Sequence, residues 1–187
     1  ITKASLALRE GEIAATVARA LEIALTEPMG PVHLDLPEDV AIAMATETAP
    51  PPPNPKPQDA APDDQIAAAI ALLQNARRPA AVIGANAMRM TNTHLLRDFI
   101  ETHNIPFATT TMAKGMIDED HPLSLGCIER GRRQIQRAFL RDADLIIGLG
   151  YDTIEVEVEA WISDVEMLQI DIEKIDVAAG VNVTHEV

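Results

Sequence analysis

The spacing of apolar side chains predicts a chain in which helices and strands alternate. Near the start, apolar residues recur every three or four positions, which predicts an amphipathic helix over 11–26. The apolar and polar alternation that follows predicts a short strand over 31–36. A further helix is predicted to begin at Pro62, with a buried stripe formed by Ile66, Ile70 and Leu73.

Four later apolar runs predict the strands of one sheet, at 80–84, 106–109, 144–150 and 167–172. Helices are predicted between them, over about 91–103 and about 132–140. This order is typical of parallel strands joined by right-handed crossovers, so we expect an α/β fold with a doubly wound, Rossmann-like parallel sheet. An additional edge strand is suggested by the glutamates that alternate with valine, which are Glu155, Glu157 and Glu159.

Ligands of doubly wound sheets bind beyond the carboxyl ends of the strands. Four segments of this chain follow predicted strands and are expected to share that edge of the sheet, namely 84–86, 109–115, 148–152 and 171–173. This placement defines where a ligand would be sought, and it does not by itself define a function.

A proline-rich stretch divides the chain into two parts. Seven of the thirteen prolines lie between positions 50 and 62, where they prevent strand pairing and helix continuation. We therefore interpret 50–61 as an extended linker and 62–187 as the main domain. The segment 1–49 contains too little structure to bury a core, so it is interpreted as the end of a preceding domain.

Composition narrows the classes of function. The formal net charge of −14 argues against binding to nucleic acid, whose phosphates attract basic surfaces. No apolar run is long enough to span a membrane, and the single cysteine, Cys127, suits a reducing compartment, so we expect a cytoplasmic protein. The five histidines are scattered without metal-ligand spacing, so no metal site is predicted.

Four stretches, in order, resemble a known family. The segment Gly30-Pro-Val-His-Leu-Asp-Leu-Pro-Glu-Asp-Val40 resembles the end of the pyrimidine-binding domain of thiamine-diphosphate (ThDP) enzymes such as acetolactate synthase. The segment 105–126, which contains Thr-Thr-Thr-Met-Ala-Lys-Gly, resembles part of their central domain. Ala143-Asp-Leu-Ile-Ile-Gly-Leu-Gly150 and Ile170-Asp-Ile-Glu173 resemble two later strands of that domain.

The resemblance implies a larger protein with three domains, which assembles as a homodimer or homotetramer and uses ThDP and Mg²⁺. The family's activating glutamate and its Gly-Asp-Gly…Asn diphosphate motif have no counterpart in this sequence, so no catalytic residue is assigned and the fragment alone is expected to be inactive. Its partners would be its own pyrimidine and diphosphate domains. Val181–Val187 stop about where the family's last central strand begins, so the domain is expected to be truncated there.

The glycine turns allow two interpretations. Gly84 and Asn86 in one turn, and Gly150 in another, are either ordinary strand-end turns or points where backbone N–H groups approach a nucleotide phosphate. The family relatives that bind FAD have an arginine in the second turn. Here that turn is Tyr151-Asp-Thr-Ile-Glu155, and its acidic side chains would repel a pyrophosphate. FAD, ADP, a coenzyme A nucleotide and an empty cleft therefore remain alternatives.

The other candidate ligand contacts also have structural alternatives. The segment with Thr110, Thr111, Lys114 and Gly115 could contact a ligand or form a capped turn. Arg130 and Arg132 belong to a cluster of arginines that could hold the phosphates of ADP or coenzyme A, or form a solvated surface. Asp171 could bind a ribose or cap the next helix.

Overall fold

The computed structural model describes residues 2–53, 59–128, 134–152, 155, 165–172 and 183–187. The chain divides into two compact units, Ile1–Asp59 and Ala60–Val187. Within the described ranges, every helix is too short or too polar to cross a membrane.

The first unit is a small β-α-β arrangement. Strands β1 (Ala4–Ala7) and β2 (Val32–Asp35) pair in parallel, and helix α1 (Ile13–Leu25) connects them. This confirms the predicted helix and strand, whereas β1 and a short helix α2 (Glu38–Ile42) were not predicted. Leu8 and Ala20 are the buried residues of the described part of this unit, so its own apolar core is very small.

The second unit alternates strands and helices, as predicted. Its elements are α3 (Asp63–Asn75), β3 (Pro79–Ile83), a 3₁₀ helix (Ala85–Arg89), α4 (Thr93–His103), β4 (Phe107–Thr110), β5 (Ser124–Ile128), α5 (Gln134–Arg141), β6 (Leu145–Leu149), β7 (Glu166–Ile170) and β8 (Val183–Glu186). The pattern of apolar residues did not predict strand β5, because Gly126, at φ +84°, interrupts its apolar run. Strand β8 lies where the final strand was expected to begin.

The six strands of this unit form one parallel sheet in the order β5-β4-β3-β6-β7-β8. From β3 the chain adds β4 and then β5 on one side. It then crosses back over these strands and adds β6, β7 and β8 on the other side of β3. This is the doubly wound order of Rossmann-type domains, with its topological switch point between β3 and β6. The predicted fold class is confirmed.

Alternating strand residues bury their side chains on opposite faces of the sheet. On one face Ala81, Ile83 and Ile147 belong to an apolar cluster that also includes residues of the helices α3 and α4. On the other face Ala80, Val82 and Ile146 pack with Leu140 of α5. Central strands covered on both faces require continuous apolar sequence, which explains why β3 and β6 were the easiest strands to predict.

The predicted buried stripe of α3 is wrong in two of its three positions. Ile66 and Ile70 are 40% and 48% exposed, whereas Ala69 is buried and Leu72 joins Leu73 against the core. The buried face is thus rotated from the face that carries the two isoleucines. A small residue in contact with the sheet lets the helix approach closely, and helical spacing alone does not reveal which of two apolar faces will do so.

Candidate functional site

The ends of β3 and β6 meet at the switch point through their backbones. The N–H of Asn86 donates to the carbonyl oxygen of Gly150 at 3.0 Å, and the N–H of Gly84 donates to that of Leu149 at 3.0 Å. A Cβ on Gly84 would overlap the carbonyl oxygen of Gly150, and a Cβ on Gly150 would overlap the backbone of Ala87. The structure therefore brings the predicted Gly84, Asn86 and Gly150 together, and these glycines allow the two turns to touch.

Asp171 joins the same group from the end of β7. The side-chain amide of Asn86 lies 3.0 and 3.2 Å from the two carboxylate oxygens of Asp171, and one of those oxygens also accepts the N–H of Ile172 at 2.7 Å. The N–H contact is a local capping interaction, and the amide contact links the β3 and β7 loops. Asp171 thus has protein partners on both of its oxygens.

Glu155 bonds to three members of this region, a role that no local pattern had indicated. Its described backbone forms a turn, so the prediction that Glu155 lies on the wet face of an edge strand is wrong. One carboxylate oxygen accepts the N–H groups of Ala85 at 2.9 Å and Asp152 at 3.1 Å. The other accepts the hydroxyl of Thr110 at 2.6 Å. The remaining glutamates of that predicted strand, Glu157 and Glu159, lie outside the described residues.

Tyr151 and Gln169 form a buried polar pair beneath the switch point. The amide nitrogen of Gln169 donates to the carbonyl oxygen of Tyr151 at 2.8 Å, and both side chains are almost fully buried. Within the described residues, the hydroxyl of Tyr151 has no hydrogen-bond partner. Burial, followed by the charges of Glu155 and Asp152, raises the pKa of Tyr151 above its usual range, so this phenol stays neutral.

Three other predicted site residues lie farther along the loop after β4, and two lie outside the described residues. Thr111 and Lys114 are exposed; the Thr111 hydroxyl lies 3.9 Å from the sulfur of Cys127, and Lys114 pairs with Glu119 at 3.4 Å. Gly115 adopts φ +90° with open space around its Cβ position, as expected of a turn glycine. Arg130 and Arg132 lie outside the described residues.

A well-defined hollow among the described residues lies at the opposite edge of the sheet. It has a volume of about 580 Å³ and is lined by residues at the starts of β3, β4 and β6, including Pro79, Pro106 and Ala143. Ligands of this fold bind at the carboxyl ends of the strands, so this hollow is not at the position that the topology favours.

The chemistry of the switch point does not suit an anionic cofactor. Two described carboxylates, those of Glu155 and Asp171, are bonded to the turn after β3. A nucleotide pyrophosphate prefers free backbone N–H groups and positive charge. ThDP also requires a metal-bound diphosphate, and among the described residues no three His, Cys, Asp or Glu side chains are grouped to hold a metal ion.

The sheet order and the glycine-lined switch point define a Rossmann-type α/β domain. A family model described as "Thiamine pyrophosphate enzyme, central domain" matches residues 66–187. The chain therefore belongs to the thiamine pyrophosphate enzymes and contains their central domain, as the sequence resemblance predicted.

Curated relatives give the same result. Over 88% of its length the chain is 32% identical to a probable acetolactate synthase large subunit from Methanococcus aeolicus. It is 30% identical over 87% of its length to oxalyl-CoA decarboxylase from Escherichia coli, and 29% identical over 86% to acetolactate synthase from Bacillus subtilis. In each comparison the chain covers only 29% of the relative's length.

Proposed function

We propose that this chain supplies the central domain of a longer ThDP-dependent enzyme that acts on a 2-oxo acid, as acetolactate synthase does. The match of the family model to 66–187 supports this role, together with similarity to acetolactate synthases over most of the chain. Residues 1–49 would then be the end of the preceding domain, and 50–61 the linker. The very small core of the first unit agrees with this assignment, because a two-stranded parallel sheet is marginal in isolation.

The role of the domain itself would be architectural. The observation that carries this proposal is that protein groups fill the switch point. The carboxylate of Glu155 accepts a hydrogen bond from the N–H of Ala85, and the amide of Asn86 donates to the carboxylate of Asp171. A domain whose ligand position is satisfied internally can join its neighbours without a bound nucleotide. In the whole protein, ThDP and Mg²⁺ would be held by the other domains of a cytoplasmic homodimer or homotetramer.

The first test uses the 187-residue chain with pyruvate, ThDP and Mg²⁺. We expect neither carbon dioxide nor acetolactate to form, and no heat of ThDP binding in a calorimetric titration. Turnover by the isolated chain would contradict the proposal. The B. subtilis acetolactate synthase, assayed in parallel, controls for the assay.

The second test concerns the architectural role. Residues 66–187 replace the matching segment of the B. subtilis relative, and the chimera is compared with its parent by size-exclusion chromatography and acetolactate formation. We expect parental assembly and at least about one tenth of the parental rate, because positioning by neighbouring domains is retained. A chimera that folds and assembles correctly but is inactive would contradict a purely architectural role for the domain.

Nucleotide binding is the second candidate function. Its support is the strand order, which matches that of dinucleotide-binding domains. Thermal unfolding with ADP, coenzyme A and FAD distinguishes the two candidates, since a ligand present at 100 times its Kd stabilises the native state by ~2.7 kcal/mol. The architectural proposal predicts no shift with any of the three.

A further inference from the structure

Glu155 occupies the position at which a doubly wound domain usually holds a phosphate. In such domains the pyrophosphate binds the N–H groups of the turn that follows the first strand. Here that turn follows β3, and the N–H of Ala85 is bonded to the carboxylate of Glu155. The hydrogen-bond acceptor of this N–H group is thus an anionic side chain of the same protein.

The other N–H groups of the turn are also bonded within the protein. Asn86 donates to the carbonyl oxygen of Gly150 at 3.0 Å, and Ala87 donates to that of Gly84 at 3.1 Å. Ala85, Asn86 and Ala87 therefore all have internal acceptors. An incoming phosphate would have to displace one of these bonds before it could gain any of its own, and the displaced acceptor would then lose its donor, which is destabilising where water does not replace it.

The carboxylate is held from three directions. Besides Ala85 it accepts the N–H of Asp152 from the β6 loop and the hydroxyl of Thr110 from the end of β4. Thr110 is fully buried, and its hydroxyl oxygen accepts the N–H of Ala113 at 3.3 Å, which fixes its position. Glu155 therefore ties together the ends of three adjacent strands.

Space at the turn is matched to this carboxylate. A Cβ on Gly84 would lie 2.7 Å from the nearer oxygen of Glu155, which is inside van der Waals contact. The glycine that would let a pyrophosphate approach the backbone in a nucleotide-binding turn here lets the glutamate approach.

We propose that Glu155 determines the specificity of the switch point by acting as an internal substitute for a phosphate, which excludes nucleotides and joins the loops after β3, β4 and β6. This inference deepens the proposed architectural function and rests on it. It identifies one side chain whose removal would open the site to an anionic ligand.

The test compares ADP binding by calorimetry to the 187-residue wild type and three variants. Glu155→Ser removes the carboxylate, and Glu155→Gln keeps an oxygen that can accept from Ala85 and Asp152 while the Thr110 hydroxyl accepts from its amide. Glu166→Gln removes the same charge from the exposed start of β7, at the other edge of the sheet, and serves as the matched control. We expect at least a tenfold gain in ADP affinity for Glu155→Ser alone.

Amide spectra of ¹⁵N-labelled protein provide a second measurement. The Ala85 and Asp152 resonances should shift strongly in Glu155→Ser and little in Glu155→Gln. Equal ADP affinity of Glu155→Ser and wild type would overturn the inference while leaving the architectural function intact. Equal gains in the Ser and Gln variants would also overturn it, because charge alone would then exclude ADP. Tight ADP binding by wild type would contradict both proposals.

If Glu155→Ser does not fold, Glu155→Asn takes its place. Its uncharged side chain is one methylene shorter than that of glutamine, which withdraws the oxygen from Ala85, and the same tenfold gain is expected. An Asn variant that folds and still excludes ADP would overturn the inference.

Discussion

The amide N–H of Asn86 and the carbonyl oxygen of Gly150 form a 3.0 Å hydrogen bond that joins the loops after β3 and β6. The two strands are neighbours in the sheet but are separated by more than sixty residues of chain. Because the loops touch through their backbones, the switch point requires glycine where a Cβ would collide with the facing loop. This relationship explains Gly84 and Gly150 without a bound nucleotide.

Gly84→Ala should be strongly destabilising for a purely steric reason. Gly84 has φ −112°, which alanine adopts readily, but its Cβ would overlap the Gly150 carbonyl oxygen and the Tyr151 backbone. We expect a loss of about 3 kcal/mol in the free energy of unfolding, measured by urea denaturation.

Gly115→Ala is the matched control for this prediction. Gly115 has φ +90° and open space at its Cβ position, so alanine there meets backbone strain without a collision. The expected loss is about 1 kcal/mol. If the two variants lost equal stability, close packing at the switch point would not be the reason for Gly84.

Ile100→Ala and Ile70→Ala test which face of α3 and of α4 is buried. Ile100 is completely buried on α4, whereas Ile70 is 48% exposed on α3. The first substitution should lower the free energy of unfolding by about 3 kcal/mol, since it creates a cavity, and the second by less than about 1 kcal/mol. Urea denaturation of both variants provides the measurement. If Ile70→Ala lost more stability than Ile100→Ala, the buried stripe of α3 predicted from helical spacing would be correct.

Asp144→Asn should remove a pH-dependent contribution to stability. The Asp144 carboxylate accepts the N–H groups of Arg77 at 2.8 Å and Arg78 at 2.9 Å. Burial acts to raise the pKa of Asp144, but these hydrogen bonds outweigh it, so the pKa lies below its usual value. Because Asp144 is exposed, solvent screening limits the effect to about 1 kcal/mol.

The sign of this pH effect follows from the lowered pKa. The ionised carboxylate stabilises the folded state above the unfolded pKa of about 3.9, and the contribution is lost as pH falls through the lower folded-state pKa. The difference in unfolding free energy between wild type and Asp144→Asn should therefore be constant from pH 7 to pH 5 and shrink below about pH 4. A difference that grew on acidification would contradict the assignment.

Glu47→Ala should loosen the start of α1. The carboxylate of Glu47 accepts the N–H groups of Ile13 at 3.1 Å and Ala14 at 2.7 Å, while Glu12 at the N-cap position forms no side-chain cap. Loss of this cap should cost about 1 kcal/mol. Hydrogen exchange at the Ile13 and Ala14 amides should accelerate about fivefold, and Glu10→Ala, an exposed carboxylate of the same unit, should leave it unchanged.

Local patterns were sufficient to predict most of the elements. Continuous apolar runs predicted β3, β6 and β7 because strands covered on both faces must be apolar throughout. Alternation of strands with helices predicted the parallel, doubly wound sheet because parallel strands require crossover connections. The prolines between 50 and 62 predicted a linker, and that assignment stays a prediction; the two compact units of the structure meet at Asp59 and Ala60 in the sequence.

Long-range packing determined the rest. The buried face of α3 depends on how closely Ala69 lets the helix approach the sheet, which local spacing does not encode. The place of Glu155 depends on three donors that are 3, 45 and 70 residues away along the chain. A glutamate between apolar residues looks like the polar side of a strand until the fold brings Ala85 and Thr110 within hydrogen-bonding distance. The residues that follow each strand could be read from the sequence, but the carboxylate that fills the space between them became visible only once the strands were assembled.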